Sequence, residues 1–256
     1  MEFHDTVGIV TGAGSEGGVG RSTSIALARN GARGVVVNYS RNEAAANDVV
    51  AEIEALGSRA IAFRADVSDE AEVVAMTEAA LDTFGRLDVL VNNAARTTRV
   101  RFDDLDGLTD EIWDETFDVN LRGAFYCIRA AAPHLKKAKG AVVNVSSIGG
   151  LRAVGSSSVA YAASKAGLIN MTQTLARGLA PHVRVNAIVP GFIDGQWLQK
   201  SLGERFEQTR ERTAERIPLN KVTTPEAAAD AVLFLLSNEY ITGHPLVIDG
   251  GFTIRD

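Results

Sequence analysis

Tyr161 and Lys165 lie four residues apart in Tyr161-Ala-Ala-Ser-Lys165, at the start of a helical pattern. On a helix that spacing places both side chains on one face, a turn apart. An ammonium beside a phenol favours the phenolate and lowers a tyrosine pKa from about 10. The hydroxyl then becomes a usable general acid or base. A second candidate is the run TGAGSEGGVGRS, Thr11 to Ser22, which follows an apolar stretch and precedes an Ala-rich helical pattern reaching Asn30. Backbone N–H groups of such a turn, together with the positive end of the helix dipole, suit a pyrophosphate. Gly12, Gly18 and Gly20 are the glycines that the turn would use. No Gly-Lys-Ser/Thr run occurs here, which argues against a nucleoside triphosphatase. Each signal alone has a plain alternative: a solvated helix pair for the first, an ordinary turn for the second.

The elements that would position these residues are short β-branched runs alternating with longer helical patterns. The runs are Val7 to Val10, Val35 to Val37, Ala60 to Phe63, Val89 to Val91, Ala141 to Val145, Val183 to Val189 and Leu246 to Ile248. Each is too apolar to keep one face in water, which predicts parallel strands covered on both sides. Glu43 to Leu56 and Glu70 to Phe84 carry apolar residues at three- and four-residue spacing and stop at Gly57 and Gly85, as crossover helices do. The alternation predicts an α/β fold: one doubly wound, Rossmann-type domain over residues 1–256 with a seven-stranded parallel sheet and helices on both faces.

Composition narrows the function. Of 256 residues, 46% are hydrophobic and 23% charged, enough for a large core; the net charge of -6 and scattered Lys and Arg argue against nucleic acid or an anionic membrane as partner. Cys127 is the single cysteine, so neither a disulfide nor a cysteine metal cluster is expected, and no metal is expected at all. Glu2 and Asp5 replace the basic front end of a secretory signal, and no apolar run nears the roughly 20 residues that span a bilayer. A cytoplasmic protein is expected.

Thr11-Gly12, Asp66-Val67, Asn92-Asn93-Ala94, Asn120, Ser146-Ser147, Tyr161/Lys165 and Pro190-Gly191 occur in that order, and the chain closes with TGHPLVIDGG. In order and rough spacing this resembles the short-chain dehydrogenase/reductase family over essentially the whole chain. The resemblance implies a nicotinamide-dependent oxidoreductase that moves a hydride between cofactor and a carbonyl or secondary alcohol. Tyr161 would exchange the proton, and Lys165 would lower its pKa and hold the nicotinamide ribose. Ser147 would hydrogen-bond the substrate oxygen, and Asn120 would anchor a water leading from Lys165 to solvent. Ser146 stays open beside Ser147, and both could simply end a strand. The implied cofactor surface comprises Gly12, Ser15, Gly18, Val19, Gly20, Asn38, Tyr39, Ser40, Arg41, Asp66, Val67, Asn93, Ala94, Tyr161, Lys165, Pro190, Gly191 and Ile193.

The pattern departs from the family in three places. Five residues separate Gly12 from Gly18, two more than usual, within Gly14 to Gly17; Ala95 replaces the usual Gly; and Gly195 replaces a Thr whose hydroxyl would bond the carboxamide. Family members preferring NAD carry an acid at the end of the second strand, where Asn38-Tyr39-Ser40-Arg41 stands here. Ser40 and Arg41 suit a 2'-phosphate, so NADP(H) is the expected cofactor, with NAD(H) as the alternative. The substrate is expected to meet Thr97 to Arg101, the stretch from Gly149 to Ser158, and a lid over 192–219 containing Trp197. The family branch includes 3-oxoacyl-carrier-protein reductases and glucose-dehydrogenase-like enzymes. Ala180-Pro181-His182, in place of a strong cation, leans toward a free small ketone or alcohol. A non-enzymatic cofactor-binding regulator is the rival reading. A homotetramer is expected, with a homodimer as the alternative, pairing through helices near Thr116 to Leu135 and Val159 to Leu179.

Overall fold

The computed structural model of the chain describes residues 2–153 and 157–255. The β-branched runs form β1 (Val7–Val10), β2 (Gly34–Tyr39), β3 (Arg59–Arg64), β4 (Val89–Asn92), β5 (Ala141–Val145), β6 (Arg184–Pro190) and β7 (Pro245–Ile248). They pair in the order β3-β2-β1-β4-β5-β6-β7, with every pairing parallel. β2 and β3 outrun their apolar segments because the ladder continues through Asn38↔Phe63 and Tyr39↔Arg64. The strand order reverses direction between β1 and β4, which opens a crevice beyond the carboxyl ends of those two strands.

Alternate side chains along each strand feed opposite faces. Val35 and Val37 join Leu27 of α1 (Val19–Arg29), Ile53 of α2 (Glu43–Ala55) and Leu235 of α9 (Pro225–Ser237) in one core. Val36 joins Met76 of α3 (Glu70–Phe84), Ile128 of α5 (Ala124–Ala138) and Ala176 of α6 (Val159–Leu179) in the other. Cys127 lies in this second core, and burial pushes its thiol up to about 12, so it packs as an apolar residue. Helices cover both faces of the sheet, most thinly at its edge strands β3 and β7, where Val247 is 37% exposed.

The helix starts follow local chemistry. Asn42 accepts a hydrogen bond from the Ala45 N–H, and Asp69 from those of Ala71 and Glu72, capping α2 and α3. α3 stops at Gly85, which takes the left-handed conformation that a side chain disfavours. The helical stretch expected around Thr116 to Leu135 is longer and irregular. α4 (Asp110–Phe117) passes through a π-helical turn, Asp118–Gly123, into α5. The 192–219 segment holds α7 (Gln196–Leu202) and α8 (Phe206–Arg216). It is pinned by buried Phe206, whose ring lies 6.0 Å from that of Phe192. Among the described residues, no helix is long and apolar enough to cross a membrane.

Candidate active site

β5 delivers Ser146 and Ser147 to the crevice, and α6 begins close by. The Ser158 hydroxyl accepts from the Tyr161 N–H at 3.2 Å, which fixes the first turn of α6 and with it the tyrosine. One turn on, the Lys165 Nζ donates to the Val145 carbonyl at 2.8 Å and lies 5.6 Å from the centroid of the Tyr161 ring. Only 2% of Lys165 is exposed. The serine pair separates in role. Ser146 donates to the Lys165 carbonyl at 2.9 Å and clamps the helix backbone, whereas the Ser147 hydroxyl is hydrogen-bonded to Tyr161.

Asn120 sits in the π-helical turn with its side chain fully engaged. Its Oδ1 accepts from the Arg96 N–H at 2.7 Å, and its Nδ2 donates to the Arg96 carbonyl and the Ser164 hydroxyl, both at 3.0 Å. Ser164 in turn donates to the Tyr161 carbonyl at 2.8 Å, so Asn120 braces the tyrosine turn. Behind it runs a chain that sequence reading missed. Asn92 Nδ2 donates to Asn144 Oδ1, and Asn144 Nδ2 to the Thr172 hydroxyl, each at 2.9 Å. Its signal was there: an Asn inside the apolar run Ala141–Val145 must find partners once buried.

Burial dominates the electrostatics of the pair. It pushes Tyr161 up to about 12, against the hydrogen bond with Ser147, and pushes Lys165 down to about 8. Desolvation penalises the phenolate, so the net direction for Tyr161 in this geometry is upward, whereas the lowering was expected from the ammonium alone. The tyrosine is held as the neutral phenol, the proton-donating form. Lys165 remains largely charged at neutral pH.

Around the glycine turn, three side chains converge. The Thr11 hydroxyl accepts from the N–H groups of Asn93 and Ala94. Asn93 Nδ2 donates to the carbonyls of Thr11 and Gly12, and Asn38 Oδ1 accepts from the Gly12 N–H at 3.0 Å. Gly12 has a positive φ of 63°, and a Cβ there would lie 2.8 Å from the Ala94 Cα. The turn can therefore be only glycine. Two residues expected at the cofactor surface are largely buried. Asn38 is 1% exposed and its Nδ2 donates to the Ala65 carbonyl, and Tyr39 is buried with its hydroxyl bonded to Glu43. Both shape the loop. Asn93 likewise spends its amide on the turn.

Ser15, Ser40 and Arg41 are exposed, while Val19 and Gly20 are buried at the start of α1, whose N-cap is Gly18. Asp66 folds back on Ser68, accepting from its N–H at 3.0 Å and its hydroxyl at 2.6 Å. Burial raises the Asp66 carboxyl, but those bonds and the charges of Arg41 and Arg96 hold it below the ordinary range. Val67 is buried. Pro190 ends β6, the Gly191 N–H donates to the Ile248 carbonyl, and Ile193 bridges to Thr223. In the Gly149 to Ser158 stretch, residues 154–156 lie outside the described residues. The residues present fit a dinucleotide: a glycine cradle at one end, a guanidinium and hydroxyl beyond β2, and a buried ammonium at the other end.

Two of the three departures from the family pattern meet in space. Gly17, in the lengthened part of the loop, accepts at its carbonyl from the Gln196 N–H at 3.3 Å, and Gln196 Nε2 donates to Glu16 at 2.7 Å. A Cβ on Gly195 would lie 2.7 Å from the Gly17 carbonyl oxygen.

Known proteins share this architecture. A family model described as enoyl-(acyl carrier protein) reductase matches residues 12–253. A protein from Streptomyces violaceoruber, assigned as ketoacyl reductase 2 of the granaticin polyketide synthase, is 41% identical over 246 residues, covering 96% of this chain and 95% of its own. A 3-oxoacyl-[acyl-carrier-protein] reductase of Thermotoga maritima is 37% identical over 258 residues, covering 99% and 100%. The crystal structure of a Burkholderia xenovorans protein assigned as a short-chain dehydrogenase/reductase superposes with a TM-score of 0.90 at 32% identity, covering 98% of each chain.

Two outcomes follow from the geometry. The Lys165 pKa of about 8 lies below the roughly 10.4 of an unfolded lysine, so the unfolded chain binds the extra proton between these values. Wild-type stability thus carries the full penalty below pH 8 and sheds it as pH rises toward 10. Urea unfolding of Lys165→Met against wild type should show the balance moving toward wild type by about 2–3 kcal/mol between pH 7 and pH 10. A pH-independent difference would contradict the buried ammonium. At Gly195 the obstructed atom is Cβ itself, so Gly195→Ala and Gly195→Thr should each cost about 1–3 kcal/mol in the same assay.

Proposed function

Because the chain belongs to the short-chain dehydrogenase/reductase family, we propose that it reduces the keto group of a 3-oxoacyl thioester or a related ketone, with NADPH as the preferred reductant. That it is an oxidoreductase of carbonyl and alcohol groups follows from the family. The observation that carries the finer reading is the Ser147–Tyr161 hydrogen bond beside the buried Lys165, at the carboxyl edge of the sheet. Relatives named as ketoacyl reductases support the acyl substrate over the free ketone favoured by Ala180-Pro181-His182.

The bound cofactor supplies the hydride that reduces the carbonyl carbon. Tyr161, held as the phenol, donates its proton to the carbonyl oxygen. The Ser147 hydroxyl donates a hydrogen bond to the same oxygen as negative charge grows on it. The Lys165 ammonium stabilises the phenolate that remains and holds the ribose hydroxyls. Asn120 keeps the tyrosine turn in place through Ser164. Arg41 and Ser40 receive the 2'-phosphate. Residues 1–256 act as one domain, with 192–219 as the lid over the substrate. Phe125 on α5 and Val159 on α6 leave apolar surface exposed on the helices expected to pair, which supports a homo-oligomer. A regulator without catalysis would have no use for the Ser147–Tyr161–Lys165 arrangement.

NADPH oxidation with a 3-oxoacyl thioester tests the chemistry. Tyr161→Phe should lower kcat by about 10²–10⁴-fold, while tryptophan fluorescence still reports NADPH binding. Near-wild-type turnover by the variant would refute the proton-transfer role. For the cofactor, kcat/KM should be higher with NADPH than with NADH. Arg41→Asp should reduce the NADPH value by about 10–100-fold, the loss of a charge-assisted hydrogen bond; equal values for both cofactors in wild type would refute the preference.

A further inference from the structure

A cleft of about 610 Å³ opens between the segment after β4 and the 192–219 lid, lined by Arg99, Val100, Phe102, Leu202, Arg205 and Thr209 among others. Ser157 is also in its wall, with its hydroxyl bonded to Thr97 and its carbonyl accepting from the Val100 N–H at 3.1 Å. The next residue, Ser158, caps the helix that carries Tyr161. The cleft therefore lies beside the first turn of the helix that carries Tyr161.

The arginines in and near the cleft differ in how they are paired. Arg101 is paired with Asp103 at 2.7 Å, and Arg210, nearby on α8, is paired with Glu207 at 2.9 Å and Asp194 at 3.6 Å. Arg99 and Arg205 have no carboxylate partner among the described residues. Arg99 reaches Ser201 through Nε at 2.8 Å, which orients its guanidinium and leaves the terminal nitrogens for another acceptor. Burial pushes the Arg99 pKa down, and the neighbouring Arg205 charge adds to that effect. Two like charges facing a partly apolar cleft, one from each side, cost energy that an anion between them would return. Val100, Phe102 and Leu202 supply the apolar part.

We propose that Arg99 and Arg205 form an anion subsite in the substrate cleft, so that the substrate carries a carboxylate or phosphate on the arm remote from the keto group. This rests on the reading that reduction occurs at Tyr161. The apolar lining between the two ends suits a short acyl or alkyl spacer. A neutral ketone would bind without using the subsite.

The test separates the subsite from the chemistry by measuring binding first. Coenzyme A, a phosphate probe, and adipate, a carboxylate probe, are titrated by calorimetry into protein saturated with NADPH, so that the cofactor site is already filled. Wild type should bind at least one of them, and the double variant Arg99→Gln/Arg205→Gln should bind it about tenfold or more weakly. The probe that binds identifies the anion. No binding of either probe to wild type, or equal binding by the double variant, overturns the subsite whatever the protein catalyses. Kinetics with ethyl 3-oxobutanoate, 3-oxobutanoyl coenzyme A and the monoethyl ester of 3-oxoadipate then add the link to turnover. The double variant should raise KM about tenfold for the matching charged substrate and lower kcat/KM for the neutral ester by a smaller factor. An equal loss on all three substrates also overturns the subsite, whereas failure of wild type to reduce any of them, with anion binding intact, falls on the reaction at Tyr161 alone. Both arginines are solvent-facing, so unchanged thermal melting should confirm that the double variant folds.

Discussion

Holding the Lys165 ammonium almost wholly out of water costs several kcal/mol even after relaxation, and the structure around it is arranged to sustain that cost. The Val145 carbonyl, at the last residue of β5, takes one of its protons. Ser146 ties the lysine's own backbone to the strand, and Asn120, through Ser164, holds the preceding turn of the helix. Strand and helix cannot separate without stranding a charge. The same burial raises the Tyr161 pKa, so one desolvated pocket moves the two side chains in opposite directions.

A similar economy governs the nucleotide end. Thr11, Asn38 and Asn93 come from three strand ends and all engage the turn at Gly12. The Ala13 and Gly14 N–H groups also donate, to the Asn38 carbonyl, so the shape of the turn's first half is imposed by the neighbouring strand ends. The convergence is possible only where β1, β2 and β4 lie side by side, as the sheet order places them.

Much of this was legible beforehand. β-branched runs are local signals, and so are capping Asn42 and Asp69 and the stop at Gly85; the sheet and its crossovers follow from them. The proximity of Ser147, Tyr161 and Lys165 was legible through family order. What escaped was decided by packing between distant segments. Asn38, Tyr39 and Asn93 sit where ligand contacts were expected, but burial assigns their polar atoms to protein partners. The π-helical turn at Asp118–Gly123 has no composition signal, because a widened turn reflects what its residues pack against. The sign of the tyrosine shift also depended on burial, which a four-residue spacing does not report. Arg99 and Arg205 share a cleft although 106 positions separate them, and nothing in either segment names the other.

The contact between Gly17 and Gly195 bears on how this chain diverged. The lengthened phosphate loop and the missing lid threonine look like two independent departures, almost 180 positions apart. In space they are one change, since the carbonyl of the enlarged loop occupies the volume that any side chain at 195 would need. The two positions are therefore coupled: with the longer loop in place, any side chain at 195 meets the Gly17 carbonyl, so a substitution at one is felt at the other.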